Sequence, residues 1–207
     1  MTYPPEPWSL RGRMHVTVWL VPVGALPALA PEVLAAARIV RIGRRAVLGT
    51  AWVDYRPGGV LSYRELLAAV LVRDGLRFRV SITHIWVDSV ESRDGGRALW
   101  GIPKDLAELS IADGAASAAG IATARFRKAR GRVRLPVRFT VLQALGGAAL
   151  ASPVRSSAHC GLSTVAWEPA ADGPLGFLGR ARPVVSLLAD DFRMRFGRAR
   201  RAEVAGR

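Results

Sequence analysis

Gly95-Gly-Arg-Ala-Leu-Trp-Gly-Ile-Pro-Lys-Asp-Leu-Ala107 sets a primary amine, Lys104, directly after a proline and among apolar neighbours. The chain holds 28 arginines and only two lysines, so ordinary basic surface positions are filled by arginine. Lysine can do what arginine cannot: lose its proton and attack a carbonyl carbon. A free lysine is almost wholly ammonium at pH 7, and half-neutralising it requires about 4 kcal/mol, which burial can supply. Pro103 predicts the first residue of a short helix, with Asp105 and Glu108 in its opening turns. The positive end of that helix dipole disfavours an ammonium at position 104, and Trp100, Ile102, Leu106 and Leu109 offer an apolar wall. Asp105 acts in the opposite sense. The plainer alternative is a solvated lysine after a loop.

Working outward, Asp88-Ser89 and Ser92-Arg-Asp-Gly-Gly96 suggest a loop, the glycines turning the chain into Arg97. Before it, Ser62-x-x-Glu65 matches a capping box. The run that follows is short and ends at Asp74-Gly75, ahead of the β-patterned stretch Leu76 to Val87, so strand-turn-strand explains both halves better. On a strand Glu65 shares a face with Tyr63, Leu67 and Ala69, where a carboxylate needs a cation such as Arg13 or Lys104. Arg13 to Val21 alternates as a strand, with Arg13, His15, Thr17 and Trp19 on one face. Tyr3-Pro-Pro-Glu-Pro-Trp8 reads as an ordered lead-in, and Pro31 to Arg38 as a short helix. Ile39 to Ile42 and Ala46 to Tyr55 read as strands.

Downstream, arginines alternate with apolar residues from Arg125 to Arg138 around Gly131, which suggests a hairpin with one solvated basic face. Pro136 to Leu145 reads as a strand ending at Gly146-Gly147, Val184 to Phe196 as a last apolar element, and Arg198 to Arg207 as a frayed basic tail. His84 reads as a core or interface residue, and Ser156, Ser157, His159 and Cys160 lack the elbow or orienting partner of a nucleophile.

With 207 residues, half of them apolar, the chain is expected to fold as a single domain over 1–207. The net charge of +14 favours an anionic partner, a carboxylate substrate among them. One cysteine excludes an internal disulfide and fits a cytoplasmic location. Prolines interrupt the apolar run from Val16 to Ala30, which argues against a signal peptide. No segment reaches the roughly 18 uninterrupted apolar residues of a membrane span.

Arg-Ala-Leu-Trp-Gly-Ile-Pro-Lys-Asp-Leu-Ala, with Trp86-Val-Asp-Ser89 and Tyr63-Arg-Glu-Leu66, resembles the acetoacetate decarboxylase superfamily from about Pro4 to Leu109. The resemblance implies a mainly β fold, an antiparallel cone-like closed barrel with a few short helices, a homo-oligomer, and no cofactor or metal. It implies a Schiff-base nucleophile at Lys104, an active-site glutamate at Glu65 and a substrate-binding arginine at Arg13. The decarboxylases proper carry a second lysine after the nucleophile, where this chain has Asp105, so it is nearer to divergent members that act on pyruvate-like keto acids. The expected function is a cofactor-free lyase for a small keto acid. A non-catalytic barrel binding a small apolar or acidic ligand is the alternative. Arginine-mediated nucleic-acid association is a further, less favoured one, because few aromatic residues accompany the arginines.

Overall fold

Residues 8–22 and 77–87, which largely alternate apolar and polar side chains, and 45–55 and 63–74, whose longer apolar runs are buried on both faces, form four long strands that pair as antiparallel neighbours. The structure is a computed structural model and describes residues 3–112 and 114–202, without the side chains of 128–130. Its strands are β1 (Trp8–Pro22), β2 (Arg38–Ile39), β3 (Arg41–Ile42), β4 (Arg45–Tyr55), β5 (Tyr63–Asp74), β6 (Arg77–Val87) and β7 (Lys104–Leu106). Then come β8 (Leu109–Ala112), β9 (Ala115–Ala118), β10 (Ala122–Leu145), β11 (Ala148–Pro169), β12 (Arg182–Phe196) and β13 (Arg200–Arg201). Two α-helices, α1 (Pro31–Ala36) and α2 (Val90–Trp100), complete the described regular structure with two short 3-10 turns. No helix among the described residues is long and apolar enough to cross a membrane.

The order β11-β12-β1-β4-β5-β6-β10 returns to β11, because β10 also pairs with β11. The expected mainly β, antiparallel architecture is therefore present, with the large sheet closed ring-like on itself, which removes sheet edges over these seven strands. The weak point of closure is β6 against β10, a parallel contact with one register pair, Val80 and Val141. There the buried Gln143 side chain takes over the backbone's role. Its Oε1 accepts from Ile82 N–H (2.9 Å) and Ser81 Oγ (3.0 Å), and its Nε2 donates to the Ile82 carbonyl (3.0 Å).

Pairing fixes which side chains share a face. Met14, Val53, Glu65 and Val87 lie in register on one face, and Arg13, Asp54 and Arg64 on the other. The first face carries a core to which all seven ring strands contribute, joined by Trp100 and Ile102. The second carries a separate core of Trp19, Leu48, Trp52 and Leu66, covered by β8, β9 and the short helices.

Four local expectations are corrected. From Val90 on, the expected Asp88 to Gly96 loop is instead helix α2, capped by Ser89 Oγ accepting from Ser92 N–H and ended at Gly101 in the left-handed region (φ 64°). Gly95 and Gly96 serve close packing and not a turn: a Cβ would meet the Trp8 ring at 2.5 Å and the Lys104 side chain at 2.7 Å. The helix expected from Pro103 is absent, and Lys104 opens β7, which lies parallel to β6 with Lys104 beside Ile85. Tertiary pairing outweighs the local helix-start signal. Gly131 adopts φ 62° without a turn, inside the long strand β10. The basic tail is partly ordered, Arg200–Arg201 pairing with Leu150–Ala151 as β13, while residues 203–207 lie outside the described residues.

Candidate active site

Four elements bring the site together. β5 carries Tyr63 and Glu65 on the face shared by the ring strands, β4 sets Tyr55 opposite Tyr63, and β7 with α2 delivers Lys104 and Ser92. Lys104 is 4% exposed and Glu65 3%. The Lys104 Nζ donates to Glu65 Oε2 (2.9 Å), Ser92 Oγ (2.9 Å) and Tyr63 Oη (3.2 Å), so all three ammonium donors are used. Tyr55 donates to Glu65 Oε1 at 3.2 Å, and Tyr63 donates to Oε2 at 3.5 Å. The ammonium also lies 4.9 Å from the Tyr63 ring centroid, within cation–π range.

The electrostatics invert one sequence expectation. Burial pulls the Lys104 pKa down, as anticipated, but the Glu65 carboxylate and the Tyr63 hydroxyl push it up, and the net direction is above the ordinary value. Lys104 therefore rests as an ammonium in a buried ion pair, not as a free amine. Burial, then the Glu65 charge, pushes Tyr55 well above the ordinary tyrosine range. Burial raises Tyr63 too, with Lys104 opposing.

Asp105 points away from this cluster. It is largely exposed and pairs with Arg97, whose Nε also donates to the Lys104 carbonyl (2.6 Å). Arg97 thereby ties β7 to α2 and fixes the backbone from which Lys104 projects.

Lys104 and Glu65 come together as expected from the strand assignment of Glu65, but Arg13 does not join them. It lies on the opposite sheet face, paired through two nitrogens with Asp190 (2.8 and 3.1 Å). There it lines a cleft of about 490 Å³ with His15, Trp52, Asp54, Phe126 and Arg132. His15 stacks on Phe126 (centroids 3.8 Å apart), and burial, then Arg13, lowers its pKa to about 4. Ser92, Tyr55 and Arg97 escaped sequence reasoning. Tyr63 carried a signal, its two-residue offset from Glu65; Tyr55 and Ser92 carried none, because strand pairing and a helix turn bring them in. Among the described residues no group of three His, Cys, Asp or Glu side chains is placed to hold a metal. His159 and Cys160 alternate along β11, and burial raises the thiol pKa, so they form no activated pair.

No curated protein matches the chain by sequence. Its fold is similar to that of acetoacetate decarboxylase from Legionella pneumophila, with TM-score 0.70 and 15% identity over 98% of this chain and 90% of that one. It is also similar to the enduracididine biosynthesis enzyme MppR complexed with pyruvate (TM-score 0.61, 16% identity, 99% and 93% covered). A third is an acetoacetate decarboxylase-like enzyme from Sphingomonas wittichii RW1 (TM-score 0.59, 14% identity, 97% and 94% covered). At these identities the likeness concerns the fold. The acetoacetate decarboxylase (ADC) family itself matches residues 1–157, beyond the stretch that carried the sequence resemblance and across the strands bearing Glu65 and Lys104, and the chain belongs to that family.

Proposed function

We propose that the protein is a cofactor-free lyase that forms a Schiff base between Lys104 and a small keto acid. The observation that carries this is the buried pair of Lys104 and Glu65, set among Tyr55, Tyr63 and Ser92 and otherwise apolar walls. Proton transfer from Nζ to Glu65 turns two buried charges into a neutral amine and a neutral acid, and the freed lone pair attacks the ketone carbon. The carbinolamine then loses water, its hydroxyl leaving with the proton that Glu65 returns. The sum is ammonium plus ketone giving protonated imine plus water. The imine restores a positive charge beside the Glu65 carboxylate and draws electrons from the adjacent carbon, which serves decarboxylation, aldol cleavage or dehydration alike. Asp105, turned outward onto Arg97, leaves the family's second-lysine position without a cation in the site. This favours chemistry on pyruvate-like acids, such as the pyruvate bound in MppR, over acetoacetate decarboxylation. Arg13, on the other sheet face, is not assigned the substrate carboxylate; Tyr63 and Ser92 are the polar groups at hand. A cytoplasmic homo-oligomer belongs to the same proposal. The exposed apolar residues Val133, Leu135 and Leu162 on β10 and β11 support self-association, which light scattering measures.

The test is borohydride reduction in the presence of pyruvate or acetoacetate, followed by intact mass and peptide mapping. A reduced adduct on Lys104, absent from Lys104→Arg, is the expected result. A second reading is favoured by the fully used ammonium donors: the pair is then a structural tie in a non-catalytic, ligand-binding member of the family. Folded protein that yields no adduct with either acid would favour that reading.

A further inference from the structure

Two basic features of the sequence, Arg138 at the end of the arginine alternation and the basic tail, have no part in the Lys104 site. The fold carries both to one place. Residues 77–79 of β6 and 138–140 of β10 precede the single pair Val80–Val141 that joins these strands, and a cleft of about 640 Å³ opens beside them. Arg77, Arg79, Arg138, Arg155, Arg200 and Arg201 line it. Two of these arrive on β13, whose pairing with β11 positions the tail. Only Arg79 has an ion pair among the described residues, with Asp74 at 3.0 Å; the other five guanidinium groups have none. Phe78, 62% exposed, and Phe139 also border the cleft.

Like charges gathered without counter-ions repel one another, and an anion that spans them removes that repulsion while gaining several charge-assisted hydrogen bonds. A keto acid with one carboxylate would neutralise one guanidinium and leave the rest. The cleft has the size of a small-molecule site, and its charge calls for several negative charges on adjacent groups. Guanidinium forks match phosphate oxygens two at a time, and the exposed Phe78 offers a contact for a planar base. We propose that this cleft binds the oligophosphate group of a nucleotide-sized molecule, at a site separate from Lys104.

Isothermal titration of the full chain at low salt with inorganic tripolyphosphate, ATP, citrate and a single-stranded oligonucleotide tests this. Saturable one-site binding of tripolyphosphate and ATP is expected, with citrate weaker. Arg200→Glu/Arg201→Glu should weaken tripolyphosphate by about tenfold or more, while the charge-matched pair Arg41→Glu/Arg44→Glu, exposed on and after β3, should change it less than about twofold. Arg138→Glu, on a different strand, should act like the tail variant. No saturable binding, equal loss in both double variants, citrate as strong as tripolyphosphate, or an oligonucleotide that outcompetes both small phosphates would each overturn the proposal. None of these results depends on whether Lys104 forms an imine.

Discussion

Replacing Glu65 with glutamine leaves a buried ammonium without its counter-ion. In the native pair Nζ lies 2.9 Å from Oε2, an attraction of about 6 kcal/mol at an effective dielectric constant of about 20. Desolvating the two ions costs several kcal/mol each, so the intact pair contributes little net stability, whereas removing one partner exposes the other's whole penalty. Glu65→Gln is expected to destabilise the protein by about 3–5 kcal/mol at pH 7. That lowers the urea midpoint by about 2 M for a slope near 2 kcal/mol per M. The pH dependence has a definite sign. Burial opposes the Lys104 charge, but Glu65 and Tyr63 outweigh it and hold the pKa above 10.5. A raised lysine stabilises fully below its unfolded-state pKa, and that contribution is lost as pH rises through the folded-state value. In the variant the opposing carboxylate is gone, burial prevails, and stability instead increases as pH rises. The gap between the two proteins should therefore be widest near neutrality and narrow toward pH 10. Urea unfolding followed by circular dichroism at pH 7 and pH 10 measures it. Equal midpoints at pH 7, or a gap that widens with pH, would refute the buried-pair assignment.

Gly96→Ala would set a methyl 2.7 Å from the Lys104 side chain. It should cost about 1–3 kcal/mol and reduce any borohydride adduct, as unfolding and intact mass would show. Gln143→Leu removes the side-chain bridge across the β6–β10 seam and should cost about 1–3 kcal/mol for each Ile82 backbone group left unpaired. Hydrogen exchange should then quicken at the Ile82 amide first. His15 should titrate at about 4 by NMR, well below an ordinary histidine. Because its folded-state value is depressed, its contribution to stability falls as pH drops from about 6.5 toward 4, and His15→Phe should flatten that part of the stability profile.

Much of the site was legible because strand alternation has a period of two. Once Asp74-Gly75 is read as a turn, Glu65 must sit on the same face as Tyr63, and a carboxylate there needs a cation. The rarity of lysine singled out Lys104. The loop assigned to residues 88–96 failed because paired glycines usually signal a turn, and only the nearness of Trp8 and Lys104 explains them inside a helix. Pro103 failed similarly: its local helix preference is worth little against a strand pairing with β6.

The amino-acid order alone determined the strand-rich class and the face that Glu65 occupies, and it singled out Lys104 as the candidate nucleophile, since these readings depend on periodicity and side-chain chemistry. Tertiary structure decided the charge state of Lys104, the separation of Arg13 from it and the gathering of distant arginines at one cleft. Each of these depends on which strands become neighbours, and electrostatic energies vary with distance and burial that no local pattern encodes.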